Sequence, residues 1–134
     1  MPSRRGLARY LRRSADALGL HRWRITALSD PPRSEDDDAE VIVHAEARRA
    51  EVRFGPGFWE ASAADKRRIV AHELVHCLTM HTIMGYESVI VAHAPPAAVE
   101  SLLALLTDQY ERDTEALALL LAPRLPVWVD RRGG

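Results

Sequence analysis

The stretch RIVAHELVHCLTMH, Arg68 to His81, decides how the rest of the chain is read. Aliphatic residues recur through it at helical steps, with His72, Glu73 and His76 set among them. At about 100° per residue the two histidines project only about 40° apart on a helix, and Glu73 stands beside them. Upstream, Ser62 and Asp65 form a capping-box pattern, in which a hydroxyl accepts from an orphan backbone N–H. The spacing therefore predicts a helix from about Ser62 to about Thr82, with Gly85 just past its end.

Before this helix, Leu7, Leu11, Ala15 and Leu18 recur at steps of four and three, so residues 3–18 read as an amphipathic helix that Gly19 stops. HRWRITALS (21–29) alternates Trp23, Ile25 and Ala27 and reads as a strand, and DPPRSEDDD (30–38) as an acidic, proline-broken loop. Val41–Ala45 and Ala50–Phe54 flank a polar Glu46–Arg49 and read as a hairpin, after which GPGFWE breaks the pattern. Residues 83–96 read as an extended segment or a loop over the site. Past Pro95-Pro96 a long helical pattern reaches Ala122, and PRLPVWVD ends the chain in an extended tail.

These elements make an α+β domain: an N-terminal helix, a small, mainly antiparallel sheet of about three strands, the histidine helix and a long C-terminal helix. At 134 residues and 15.0 kDa, with no repeat or linker, residues 1–134 form one domain around one core. A formal net charge of -1 gives no bias toward nucleic acid or membrane. No apolar run reaches the ~20 residues of a membrane span, and the basic start lacks a signal peptide's apolar stretch. The expectation is a cytoplasmic protein with neither a membrane nor a nucleic acid as partner. The sequence leaves the oligomeric state open. The arginine-rich first helix reads as a solvated face. The single cysteine, Cys77, allows no internal disulfide and reads as a small core residue, so a bound metal would need His, Asp or Glu ligands.

Two imidazoles one helical turn apart can share a divalent cation, and a carboxylate beside them can take a proton from a water the metal activates. Zinc wants a third protein ligand and an open position. His81 points about 140° away from His76, and His93 falls in the uncertain segment. On the last helix Glu111 and Glu115 lie one turn apart on one face, with Asp108 beside them and Asp113 opposite. That face also carries the small residues Ala104, Thr107, Ala118 and Ala122, next to a stripe of Leu103, Leu106, Leu117 and Leu121. Ile69, Val75 and Thr79 flank the histidines and would wall the site. Carboxylates set among such residues are costly to bury unless a positive charge meets them.

The His72-Glu73-x-x-His76 pattern followed by Glu111 resembles the zincin metallopeptidases, and within them the gluzincin branch. WRI, RRAEVRF, RRIVAHELVH and YERDTEALALLLAP extend a likeness, over about residues 7–126, to the small metallopeptidase-like proteins of actinobacteria and their phages. The resemblance implies that His72, His76 and Glu111 bind Zn2+, that Glu73 is the general base, and that Glu115 holds His72 in a place where aspartate is usual. Asp108 is the runner-up ligand. The metzincin branch departs from this chain, which has Thr82 where a third histidine would stand and no glycine at position 79. The family also implies a peptide or protein substrate laid along an edge strand, for which Ala50–Phe54 is the natural candidate. Tyr86, His93 and Tyr110 are candidates for stabilising the oxyanion. The competing expectations are a non-catalytic zinc-stabilised interaction protein and a metal-free binder of host regulators.

Overall fold

A computed structural model describes residues 4–129. Ser3, at the expected start of the first helix, and Asp130, at the end of the tail, lie outside them. The elements run α1 (Arg4–Ala17), β1 (Arg24–Ala27), β2 (Ala39–His44), β3 (Arg49–Phe54), a one-turn α2 (Pro56–Glu60), α3 (Ala63–His93) and α4 (Pro96–Leu121), then a 3-10 turn at Ala122–Arg124. The class is α+β, as expected.

Gly19 stops α1 at φ 79°: its N–H donates to Asp16 O and the Leu20 N–H reaches Ala15 O, which is the Schellman arrangement. The hairpin expected between residues 41 and 54 forms as β2 and β3, antiparallel, with Val41 opposite Val52. Arg48, at φ 49°, turns the chain back, and its N–H donates to Ala45 O.

One expectation about the three-stranded sheet needs correction. Its order is β1-β3-β2, with β1 parallel to β3, so it is mixed. Ala50–Phe54 is therefore the central strand and has no free edge for a substrate; the strand beside the site with an open edge is β2. The period-2 pattern of β3 reports which face is buried, since Ala50, Val52 and Phe54 are in the core, but it says nothing about which neighbours pair with the strand.

A second correction concerns α3. It does not end at Thr82 but runs 31 residues, about 46 Å, to His93, so residues 83–93 are helix rather than an extended segment or loop. Gly85 is accommodated inside it; a single helical glycine costs only about 1 kcal/mol, and Ala94-Pro95-Pro96 supplies the real stop. With the added turns α3 is long and apolar enough to cross a membrane, by length and composition only. Core helices meet the same criterion, and the first half of α3 is built into the core.

Leu74, Val70, Ala71 and Cys77 of α3 pack with β3, with Leu7 and Leu11 of α1, and with Ala118 of α4. An aromatic group closes one end: Phe58 lies against Phe54 and Trp59 (centroids 4.4 and 5.0 Å apart), and Trp128 meets Tyr10 edge-on at 4.9 Å. The sole lysine, Lys66, is buried there. Its ammonium donates to Trp59 O and Ala61 O and lies within 6 Å of the Phe58 and Trp128 rings. Ser62 caps α3 by accepting from the Asp65 N–H at 3.1 Å, as its spacing predicts.

Beyond Ile83 no described residue of α3 is buried, and in α4 only Thr114 and Ala118 are. Of the small residues expected to let a backbone approach, Ala118 and Ala122 are buried, while Ala104 and Thr107 are exposed.

Candidate metal centre

The helical turn from His72 to His76 lies where α3 leaves the sheet and meets α4. Leu74 and Val75, both fully buried, anchor that turn from behind, so its opposite face is held in a fixed orientation. The rings of His72 and His76 stand 5.2 Å apart, nearly edge to face.

Glu111 reaches across from α4 with one carboxylate oxygen toward each imidazole, Oε2 at 3.4 Å from His72 Nε2 and Oε1 at 3.6 Å from His76 Nε2. Ligands at zinc distances of about 2.0–2.2 Å in a tetrahedron stand about 3.3–3.6 Å from one another. One ligand atom from each of His72, His76 and Glu111 fits within 4.8 Å of the other two, and among the described residues this is the group that could hold a metal ion.

The remaining ring nitrogens are also occupied. His72 Nδ1 lies 2.7 Å from Glu115 Oε2, and Arg68, one turn before His72, donates to Glu115 Oε1 at 3.0 Å. Burial raises the Glu115 pKa, but the hydrogen bonds from His72 and Arg68 outweigh it and hold this carboxyl below its ordinary value. His76 Nδ1 lies 3.0 Å from the Tyr110 hydroxyl, which is 2.8 Å from Thr79 Oγ1; Thr79 in turn donates to Val75 O at 2.9 Å. Burial lowers the His76 pKa, which favours the neutral ring that a metal needs.

Glu73 is 8% exposed and lines the same cleft. Burial pushes its pKa up to about 7; the neighbouring His72 opposes this, while Glu111, Asp37 and Glu40 add to it. That value lets the carboxyl exchange a proton near neutrality.

The cleft is about 510 Å³, with β2 on one side (Ala39, Glu40, Val41), Met80, Ile83 and Glu87 of α3 on another, and Thr107 on α4. Ile69 and Val75, expected to wall the site, are in the interior instead. Asp37 also faces the cleft. Its loop is held by a close approach: the Gly55 N–H donates to Asp38 O at 2.8 Å, and a Cβ on Gly55 would stand 2.6 Å from Asp37 O.

The other acids and histidines fall elsewhere. Asp108 is exposed and paired with Arg112 at 3.1 Å, and Asp113 accepts from Gln109. His81 is exposed, as its helical angle predicts. His93 ends α3, about 25 Å of helix rise from His76. Tyr86 is 60% exposed and lines a separate groove of about 250 Å³ with Leu106 and Leu117. Of the three oxyanion candidates only Tyr110 is at the site, with its hydroxyl engaged by His76 and Thr79.

Arg68 escaped the sequence reading, and Tyr110 entered it only as an oxyanion candidate and not as a partner of His76, although both have a signal in it. Arg68 precedes His72 by four residues and so shares its face of α3, and Tyr110 precedes Glu111 directly. Comparison with known protein families, curated proteins and solved structures finds no match to this chain.

Proposed function

We propose that this protein is a zinc-dependent metallopeptidase that hydrolyses peptide bonds in the cleft between β2 and α3. The observation that carries this reading is Glu111 spanning the two imidazoles, beside a nine-tenths-buried Glu73.

His72, His76 and Glu111 would hold the ion. Two imidazoles and a carboxylate suit zinc, and among the described residues the group has three members, which leaves a ligand position free, as catalytic zinc sites require. A bound zinc would act as a Lewis acid that brings the pKa of a coordinated water toward neutrality and polarises the scissile carbonyl. Glu73, nine-tenths buried beside the two histidines, would take a proton from the attacking water and pass it to the leaving amine. Glu115, fixed by Arg68, orients His72. The open edge of β2, whose Ala39–Val41 end lines the cleft, offers backbone groups to an extended peptide.

The test compares wild type with Glu73→Gln. Both should carry stoichiometric zinc, and the variant should lose hydrolysis of casein or a peptide library by about 10²- to 10⁴-fold. Equal hydrolysis in the two proteins, or a wild type that holds no metal, would overturn the assignment. A site used only to stabilise the fold needs no general base and is closed by a fourth protein ligand; the three-membered group favours the enzyme over that second reading.

A further inference from the structure

Three short contacts run in series beside the site: His76 Nδ1 to Tyr110 Oη (3.0 Å), Tyr110 Oη to Thr79 Oγ1 (2.8 Å), and Thr79 Oγ1 to Val75 O (2.9 Å). Each hydrogen bond needs one proton. The Tyr110 and Thr79 hydroxyls supply one apiece, and the Val75 carbonyl can only accept. The third must come from the imidazole. Because Val75 O fixes the direction of Thr79, Thr79 must accept from Tyr110, and Tyr110 must accept from His76.

From this count we infer that Tyr110 and Thr79 form a one-way hydrogen-bond chain that fixes the proton of neutral His76 on Nδ1 and leaves the Nε2 lone pair facing Glu111 and a bound cation. Tyr110 is thus a positioning residue. Its only proton is committed to Thr79, so it has none to donate to an oxyanion, and it does for His76 what Glu115 does for His72. The two histidines are oriented by different chemistry, one by a charged acceptor and one by a neutral relay anchored on the helix's own backbone.

Without such a chain the opposite tautomer would be favoured. Glu111 lies 3.6 Å from His76 Nε2, and in the metal-free protein its carboxylate would draw the ring proton to that nitrogen. The chain opposes this preference before the metal arrives. Ring packing holds its geometry, with the His76 and Tyr110 centroids 5.3 Å apart.

The inference rests on the proposed metal site for its purpose but not for its test, which begins with ¹⁵N NMR of the histidine rings in metal-free protein at pH 8. In wild type and in Thr79→Ser, His76 should be the Nδ1–H tautomer. In Thr79→Val the Tyr110 proton is released to donate to the ring, and the tautomer should invert to Nε2–H. In Tyr110→Phe, which removes the acceptor, the Nδ1–H preference should be lost. Zinc affinity, read by competition with a chelator, should fall about 10- to 100-fold in Tyr110→Phe and Thr79→Val and be restored in Thr79→Ser. A wild-type His76 carrying its proton on Nε2, or a Tyr110→Phe variant binding zinc as tightly as wild type, would overturn the chain. A wild type that shows the Nδ1–H tautomer yet binds no zinc would overturn the peptidase reading and leave the chain standing.

Discussion

Glu115 meets His72 Nδ1 at 2.7 Å from 43 residues further along the chain, and Arg68 grips the other oxygen of the same carboxylate. A guanidinium, a carboxylate and an imidazole thus stand in a row, with the imidazole's free nitrogen aimed at Glu111. Removing the middle member frees the ring to rotate and leaves its Nδ1–H without an acceptor. Glu115→Ala should therefore weaken zinc binding about 10- to 100-fold. Chelator competition measures this; unchanged affinity would show that His72 needs no such support.

Glu73 makes the metal-free protein sensitive to pH. Its folded pKa, about 7, lies above the ordinary 4.5, so the fold favours the protonated acid. Below pH 4.5 both folded and unfolded states are protonated and burial carries no charge penalty. Between pH 4.5 and 7 the unfolded chain releases the proton and the folded one keeps it, so stability falls as pH rises. Above pH 7 the loss is complete, on the order of 3 kcal/mol. Glu73→Gln carries no charge and should flatten this dependence. Denaturant titrations of both metal-free proteins at pH 5 and pH 8 would reveal the difference, and parallel profiles would contradict it.

Cys77, 4% exposed, has its pKa pushed up to about 12, chiefly by burial and further by the nearby Glu73. Almost none of it is thiolate at pH 8, so thiol reagents should modify the native protein only through opening of the fold. Rapid labelling without denaturant would place this thiol on the surface.

Phe58 is fully buried between Phe54, Trp59 and Trp128. Phe58→Ala should cost about 3–5 kcal/mol and lower the thermal midpoint, because three aromatic neighbours cannot all collapse into the space. Since Lys66 also stacks near that ring, the loss should fall at the upper end of the range. Calorimetry measures it directly.

The sequence revealed the site better than the sheet. Helical angle alone brought His72 and His76 to one face and turned His81 away, and local chemistry gave the Ser62 cap and the Gly19 stop. Glu111 and Glu115 were legible because both sit one turn apart on a single helix. The position of β3 was not, because pairing with β1 is a non-local event and the alternation of Ala50, Val52 and Phe54 is the same at a centre and at an edge. The far end of α3 was misread because Gly85 is a weak breaker and the tertiary partner, α4, lies downstream. The Tyr110 contact was missed because it depends on how two helices meet, which no single-helix period encodes.

Lys66, the sole lysine, has its ammonium tied to two carbonyls in the first turn of α3, beneath the aromatic group. A lysine-specific endoprotease therefore has a single cut available in this chain, and that cut is closed while the aromatic end is intact. The appearance of two fragments would time the opening of the whole domain, without label or probe.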